Sequence, residues 1–275
     1  MGDFEADTRV EGGNGRYRAS ISRDWEIWGP NGGYVATIAL RAAGLEAAIK
    51  RPATFSCHFL SRAQFAPVDL EVTTVHGGRR AESLHVTMRQ EGRAILQAIL
   101  RTAAEGPGLE HHVAAMPDVP DPDSLKSWEE MHPDEPESYP FWQNLEGRPV
   151  QPVFLELPPP AAEPIYRQWF RFRPRATFDD PFVEAGRPLL LIDTMSWPAA
   201  ALPHPNSEFQ GPNLDVSVWF HRADPESEWL LADHDSPVAE GGLMGTTARV
   251  WSPDGRLLAS GGAQLLCVPA PPQQR

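Results

Sequence analysis

Cysteine is nearly absent from this sequence: 275 residues hold two, Cys57 and Cys267. They lie far apart in apparent strands, with no ligand spacing, which excludes a disulfide framework and a thiolate metal centre and points to a reducing compartment. Basic residues are also scarce. There are 24 Lys and Arg against 37 Asp and Glu, for a net charge of −13, and the basic residues are scattered. A nucleic-acid partner would require a basic face. No apolar run reaches the roughly 18–20 residues of a membrane span. The opening residues, MGDFEADTRVEGGNGRY, lack the apolar core of a secretory signal. A cytoplasmic protein with no nucleic-acid and no membrane partner is therefore expected.

Several chemical motifs are missing too. No Gly-x-Ser-x-Gly elbow is present, which argues against a serine α/β-hydrolase. His-Glu-x-x-His is absent. Asn31-Gly32-Gly33 is not a Gly-x-Gly-x-x-Gly nucleotide loop. His111-His112 lacks further ligands. No metal or cofactor is expected.

What is present is a core-forming composition, 41% hydrophobic with 9 Trp and 12 Phe. Tyr17–Trp28 alternates imperfectly and reads as one or two short strands. After the turn Gly29–Gly33, with Asn31 as a helix N-cap, Tyr34–Lys50 is helical and apolar nearly all round, hence buried on most sides. The period then changes to 2 across Phe55–Phe59, Leu70–Val75, Ala81–Gln90 and Ala94–Ala103, with a tight hairpin at Glu91-Gly92. Residues 105–164 are rich in proline and acids and read as a linker, pinned near Tyr139–Trp142 by aromatic residues. Strand patterns resume at Tyr166–Pro174, Leu214–His221, Trp229–Asp235, Gly242–Ser252 and Leu257–Val268, with a last hairpin at Asp254-Gly255. The tail PAPPQQR reads as an extended end.

The apolar run Leu189–Ser196 holds one acid, Asp193, which needs a partner or a task. A helix there starts either with Pro188 at its first position or with Asp193 as N-cap. The stretch also repeats an earlier one. Subtracting 160 takes Pro212 to Pro52, Trp219 to Phe59 and Arg222 to Arg62, and takes Asp193 to Gly33. The chain reads as two copies of one unit, residues 1–104 and 165–275, each an antiparallel sheet around an apolar helix, and only the second carries the acid. A purely structural acid would be expected in both copies.

These residues resemble a known family. WxxWGPNGGYVATIALRAA in the first half, with Asp193…Pro198, Pro212…Asp215, WFHR (Trp219–Arg222) and the last strand with Gln264 in the second, resembles the TesB-like acyl-CoA thioesterase II family. The resemblance implies an α+β double hotdog: two antiparallel sheets, each wrapped around a central apolar helix. It implies an enzyme that hydrolyses acyl-CoA to a fatty acid and CoA. In that family an Asp, a Thr or Ser, and a Gln of the second unit activate water. Those positions fall on Asp193, Asn213 and Gln264, so Asn213 departs from the commoner pattern. The helix start Asn31-Gly32-Gly33 is the candidate for substrate binding through backbone N–H groups. Two such chains are expected to associate. The alternative is a non-catalytic acyl-CoA or acyl-lipid binding protein on the same scaffold.

Overall fold

The computed structural model describes residues 1–133, 139–151 and 161–270. A single helical turn, α1 (Phe4–Asp7), precedes β1 (Glu11–Gly13) and β2 (Arg16–Ser20). The helix α2 (Gly32–Glu46) is followed by β3 (Pro52–Phe59), β4 (Pro67–Gly77), β5 (Ala81–Gln90) and β6 (Arg93–Ala103). Next come a helical turn, α3 (Trp128–Met131), and the strand β7 (Leu145–Pro149). The second half runs β8 (Ile165–Phe172), α4 (Pro181–Thr194), α5 (Ser196–Ala201), β9 (Phe209–Gln210), β10 (Asp215–Phe220), β11 (Trp229–Glu240), β12 (Leu243–Trp251), β13 (Leu257–Leu266) and β14 (Val268–Pro269).

The strand alternation predicts these elements because every second residue is apolar and faces the helices. In β4, Val68, Leu70 and Val72 are buried while their neighbours are exposed. The Glu91-Gly92 hairpin forms as expected, with φ of 51° and 80°, the left-handed pair that a two-residue turn between twisted strands requires.

Two separate sheets do not form. Among the described residues, twelve strands make one antiparallel sheet in the order β1-β2-β4-β5-β6-β3-β10-β13-β12-β11-β8-β7. The halves join where β3 pairs with β10, Ser56 opposite Ser217, whose hydroxyls lie 2.9 Å apart. Alone, each half would leave β3 or β10 as an open edge beside its outer one, and joining these two edges satisfies both rows of backbone groups. The expected linker also differs. Leu145–Pro149 is a strand of this sheet, paired with β8, and Phe141 is buried with its ring 5.8 Å from that of Trp25. Within that proline-rich reading only 134–138 and 152–160 lie outside the described residues, as do residues 271–275 of the tail.

The helix holding Asp193 starts earlier than either expected position. Asp180 is its N-cap, accepting from the N–H of Phe182 and Val183, and Pro181 takes the first turn. Pro188 lies inside, where it removes one backbone bond. The helix tolerates this because nearly all of it is buried, from Phe182 to Asp193. Arg187, fully buried, adds a tie: it pairs with Glu184 and donates to the carbonyls of Ala176 (2.8 Å), Ser227 (2.9 Å) and Asp224 (3.1 Å). Pro198, lacking an N–H for the carbonyl of Thr194, accompanies the break between α4 and α5.

Candidate active site

The break places Asp193 in the last turn of α4, where it meets the first turn of α2 from the other half. Asn31 caps α2, its side-chain oxygen accepting from the N–H of Tyr34 at 2.8 Å. Its amide nitrogen donates to the hydroxyl of Thr194, next to Asp193, at 2.9 Å. The N–H of Gly33 donates to Asp193 Oδ2 at 2.6 Å. Gly33 permits the approach of the two helices: a Cβ there would lie 2.6 Å from the Leu190 Cα and 3.1 Å from the Asp193 Cβ. A Cβ on Gly32 would sit 2.9 Å from both Asp193 carboxylate oxygens. As the first residue of α2, Gly32 has an N–H with no carbonyl one turn earlier within the helix.

Asn213 arrives from the second half. The N–H of Leu214 donates to the Gln264 carbonyl (2.8 Å) and that of Leu266 to the Pro212 carbonyl (2.9 Å), which pins the segment beside β13. The Asn213 amide nitrogen donates to Asp193 twice, to Oδ1 at 2.7 Å and to the backbone carbonyl at 2.8 Å. Each carboxylate oxygen thus has a protein donor, one from each half. Asp193 is only 5% exposed. Burial raises its carboxyl from the ordinary 3.8 to about 6, against the opposing pull of the Asn213 and Gly33 hydrogen bonds.

Gln264 does not join them. It pairs with Gly245 of β12, and its neighbours Ala263 and Leu265, 7% and 0% exposed, pack with Ala200 of α5 on the helix side. Alternation along β13 therefore turns the Gln264 side chain to the opposite face. Its backbone N–H meets the Asp215 carboxylate there, at 3.3 Å. His58 and His221 are exposed, and His221 bonds the Ser260 hydroxyl at 2.8 Å.

Some supporting residues gave no signal in the sequence. The Thr246 hydroxyl donates to that of Ser196 (2.9 Å), which donates to the Ile192 carbonyl (2.8 Å), anchoring the turn before Asp193. His234 Nε2 lies 3.4 Å from the same carbonyl, and burial lowers its imidazole to about 4, keeping it neutral. A lone polar residue in a strand does not announce such a contact. Among the described residues no group of His, Cys, Asp and Glu has the geometry to hold a metal ion, and no helix is long and apolar enough to cross a membrane.

Residues 21–103 match the family model of the acyl-CoA thioesterase N-terminal domain, and residues 113–268 match that of the acyl-CoA thioesterase C-terminal domain. The chain belongs to the acyl-CoA thioesterase family. It is a thioesterase acting on acyl-CoA. Solved structures share the fold of this thioesterase end to end. A conserved protein of unknown function with a hotdog fold from Alicyclobacillus acidocaldarius is 23% identical, with a TM-score of 0.82 and 98% of both chains covered. The acyl-CoA thioesterase II TesB2 from Mycobacterium marinum is 24% identical, with a TM-score of 0.79 over 97% of this chain and 98% of that one. A putative thioesterase II from Thermobifida fusca is 22% identical, with a TM-score of 0.82 over 98% of both.

Proposed function

We propose that this thioesterase cleaves acyl-CoA by direct attack of water, with Asp193 as general base and Asn213 as its positioning partner. The observation that carries the proposal is a buried carboxylate, raised to about 6, at the meeting point of two helices. A base of that strength is ionised at neutral pH and still basic enough to take a proton. The Asn213 amide nitrogen already serves Asp193, leaving its carbonyl oxygen to hold the water. The water oxygen bonds to the thioester carbon as its proton passes to Asp193. The resulting oxyanion faces the N–H groups at the start of α2, of which that of Gly32 is free of helical pairing. The carbon–sulfur bond then breaks and the proton returns to the CoA sulfur. No acyl-enzyme forms in this scheme, and no cofactor enters a step.

Asn31, Gly32 and Gly33 are the substrate-side backbone of the scheme, and the side chain of Gln264 has no part in it. Residues 1–104 and 165–275 act as two hotdog units of which the second carries the base. A cytoplasmic setting and a role in lipid metabolism follow from the acyl-CoA substrate and the unpaired cysteines. The protein works as a pair of such chains.

Replacing Asp193 by Asn tests the scheme. Thioester absorbance should stop falling, with a loss of turnover on the order of 10²–10⁴, while the melting transition persists. Wild-type turnover in the variant would rule out Asp193 as base. Binding of acyl-CoA by the unmodified protein without cleavage would establish a binding protein instead.

A further inference from the structure

We infer that the cavity where the end of α2 meets the start of α4 binds a small molecule through a diphosphate group, held by Arg9, Arg41 and Lys50. The two helices run antiparallel: Gly33 lies against Leu190, Gly186 against Thr37, and Gly44 against the Phe182 ring. The start of one helix thus meets the end of the other at two places. One of them holds Asp193. The other is about 16 Å away along α2, the rise from Gly33 to Gly44, and its cavity is walled by no residue of the Asp193 site. That cavity measures about 720 Å³, within the range of small-molecule sites. The segment from Glu5 to Val10 supplies a further wall.

Its charges are unevenly matched. Arg9, Arg41, Lys50 and Arg175 line it, in a chain whose net charge is −13. The carboxylates on its walls, Glu5 and Asp180, are already engaged. Glu5 pairs with Arg175 at 2.5 Å, and Asp180 accepts from the N–H groups of Phe182 and Val183. Arg9 reaches only Glu11, at 3.9 Å, and both side chains are exposed. Among the described residues neither Arg41 nor Lys50 forms an ion pair; Lys50 donates to the Gly44 carbonyl at 2.7 Å.

Arg41 states the chemistry of the occupant. It is half-buried, and its Nη1 makes both of its hydrogen bonds, to the Glu5 carbonyl and to the Thr8 hydroxyl (2.9 Å). Its Nε and Nη2 have no protein acceptor among the described residues. Burial pushes the guanidinium below its ordinary value, against the pull of Asp180 and Glu5, neither of whose carboxylates bonds it. A charge drawn out of water without a counter-ion is relieved by an incoming anion. The planar fork of a guanidinium matches phosphate oxygens. Three cations without close partners favour a multiply charged group over a single carboxylate. Leu45, 52% exposed, offers apolar surface to the rest of the molecule. This inference goes beyond thioester cleavage and does not depend on the role of Asp193.

Titration calorimetry of the protein at fixed ionic strength tests this, with pyrophosphate and uridine diphosphate as probes. Saturable binding at one site per chain is expected. Arg41→Gln should weaken it by at least about tenfold, because a charge-assisted contact is lost. Turnover of acyl-CoA should stay within about twofold of wild type, since Arg41 lies away from Asp193. Arg9→Gln combined with Lys50→Gln changes two exposed side chains and should give a comparable loss, so the result does not rest on the folding of one variant. Tighter binding of uridine diphosphate identifies an organic diphosphate as the ligand, and tighter binding of pyrophosphate identifies the inorganic ion. No saturable heat with either probe, affinity unchanged in both variants, or equally tight binding of decanoate would overturn the assignment. So would a loss of turnover that tracks the loss of binding, because the anion would then sit at the Asp193 site.

Discussion

The carboxylate of Asp193 accepts a hydrogen bond from the N–H of Gly33 at 2.6 Å, and the two residues are separated by 160 positions, the spacing of the internal repeat. The acid of one copy is thus held by its own counterpart in the other. The first half is not a copy that merely lost an acid. Its glycine supplies a donor and, by lacking a side chain, lets the helices meet.

The pH dependence of turnover follows from the raised carboxyl. Asp193 must be ionised to act as base, so kcat/KM should rise with pH and level off above about pH 6. A flat profile from pH 5 to pH 8 would exclude it from that role.

Stability should show the opposite trend. The folded carboxyl titrates near 6 and the unfolded one near 3.8, so between these values the fold binds more protons than the unfolded chain. Stability is then greatest below the window, falls as pH rises through it, and is flat above. The shift corresponds to about 3 kcal/mol at most. Denaturant unfolding should find Asp193→Asn gaining on the wild type at pH 8, with the gain shrinking at pH 4.

Gly33→Ala should disturb both fold and site. The added methyl would lie 2.6 Å from the Leu190 Cα, so the helices must separate. A loss of about 1–3 kcal/mol is expected from such overpacking, readable in urea unfolding, together with reduced turnover from a longer Gly33–Asp193 bond. Wild-type stability would mean that the helices do not cross here.

Asn213 allows a graded test. Asn213→Ala removes a donor to a buried carboxylate, a hydrogen bond worth about 1.5–3 kcal/mol. Turnover should fall by roughly one to two orders of magnitude, and the acid limb should move to higher pH because Asp193 loses a bond to its charged form. Asn213→Thr keeps a donor and should fall less. Equal losses in the two variants would show that the donor is irrelevant.

Gln264→Ala should leave turnover within about threefold of wild type, as expected of a residue on the face away from the helices. A loss as deep as that of Asp193→Asn would place its side chain at the site after all.

Much of the fold was legible because its signals are local. The period-2 alternation of Leu70–Val75 and Ala81–Gln90, the Asn31 cap and the Glu91-Gly92 turn each follow from a few adjacent residues. The start of the helix carrying Asp193 is hidden for the same reason: Pro188 and Pro198 look like boundaries locally, and only packing on nearly every side lets Pro188 stay inside. The resemblance implies that Gln264 joins Asp193, while the pleat of β13 turns its side chain to the other face.

By itself the sequence determined that the chain repeats a pattern at a spacing of about 160 residues, that each half holds an apolar helical stretch followed by alternating strands, and that a single acid stands in one apolar run, since repeats and periodicity are read along the chain. The tertiary structure alone decided that the units share one sheet through β3 and β10, that Asp193 bonds Gly33 across the repeat, and that Asn213 reaches it while Gln264 does not. Those outcomes depend on edge pairing, on how closely two helices pack and on strand register, which join residues far apart in the chain.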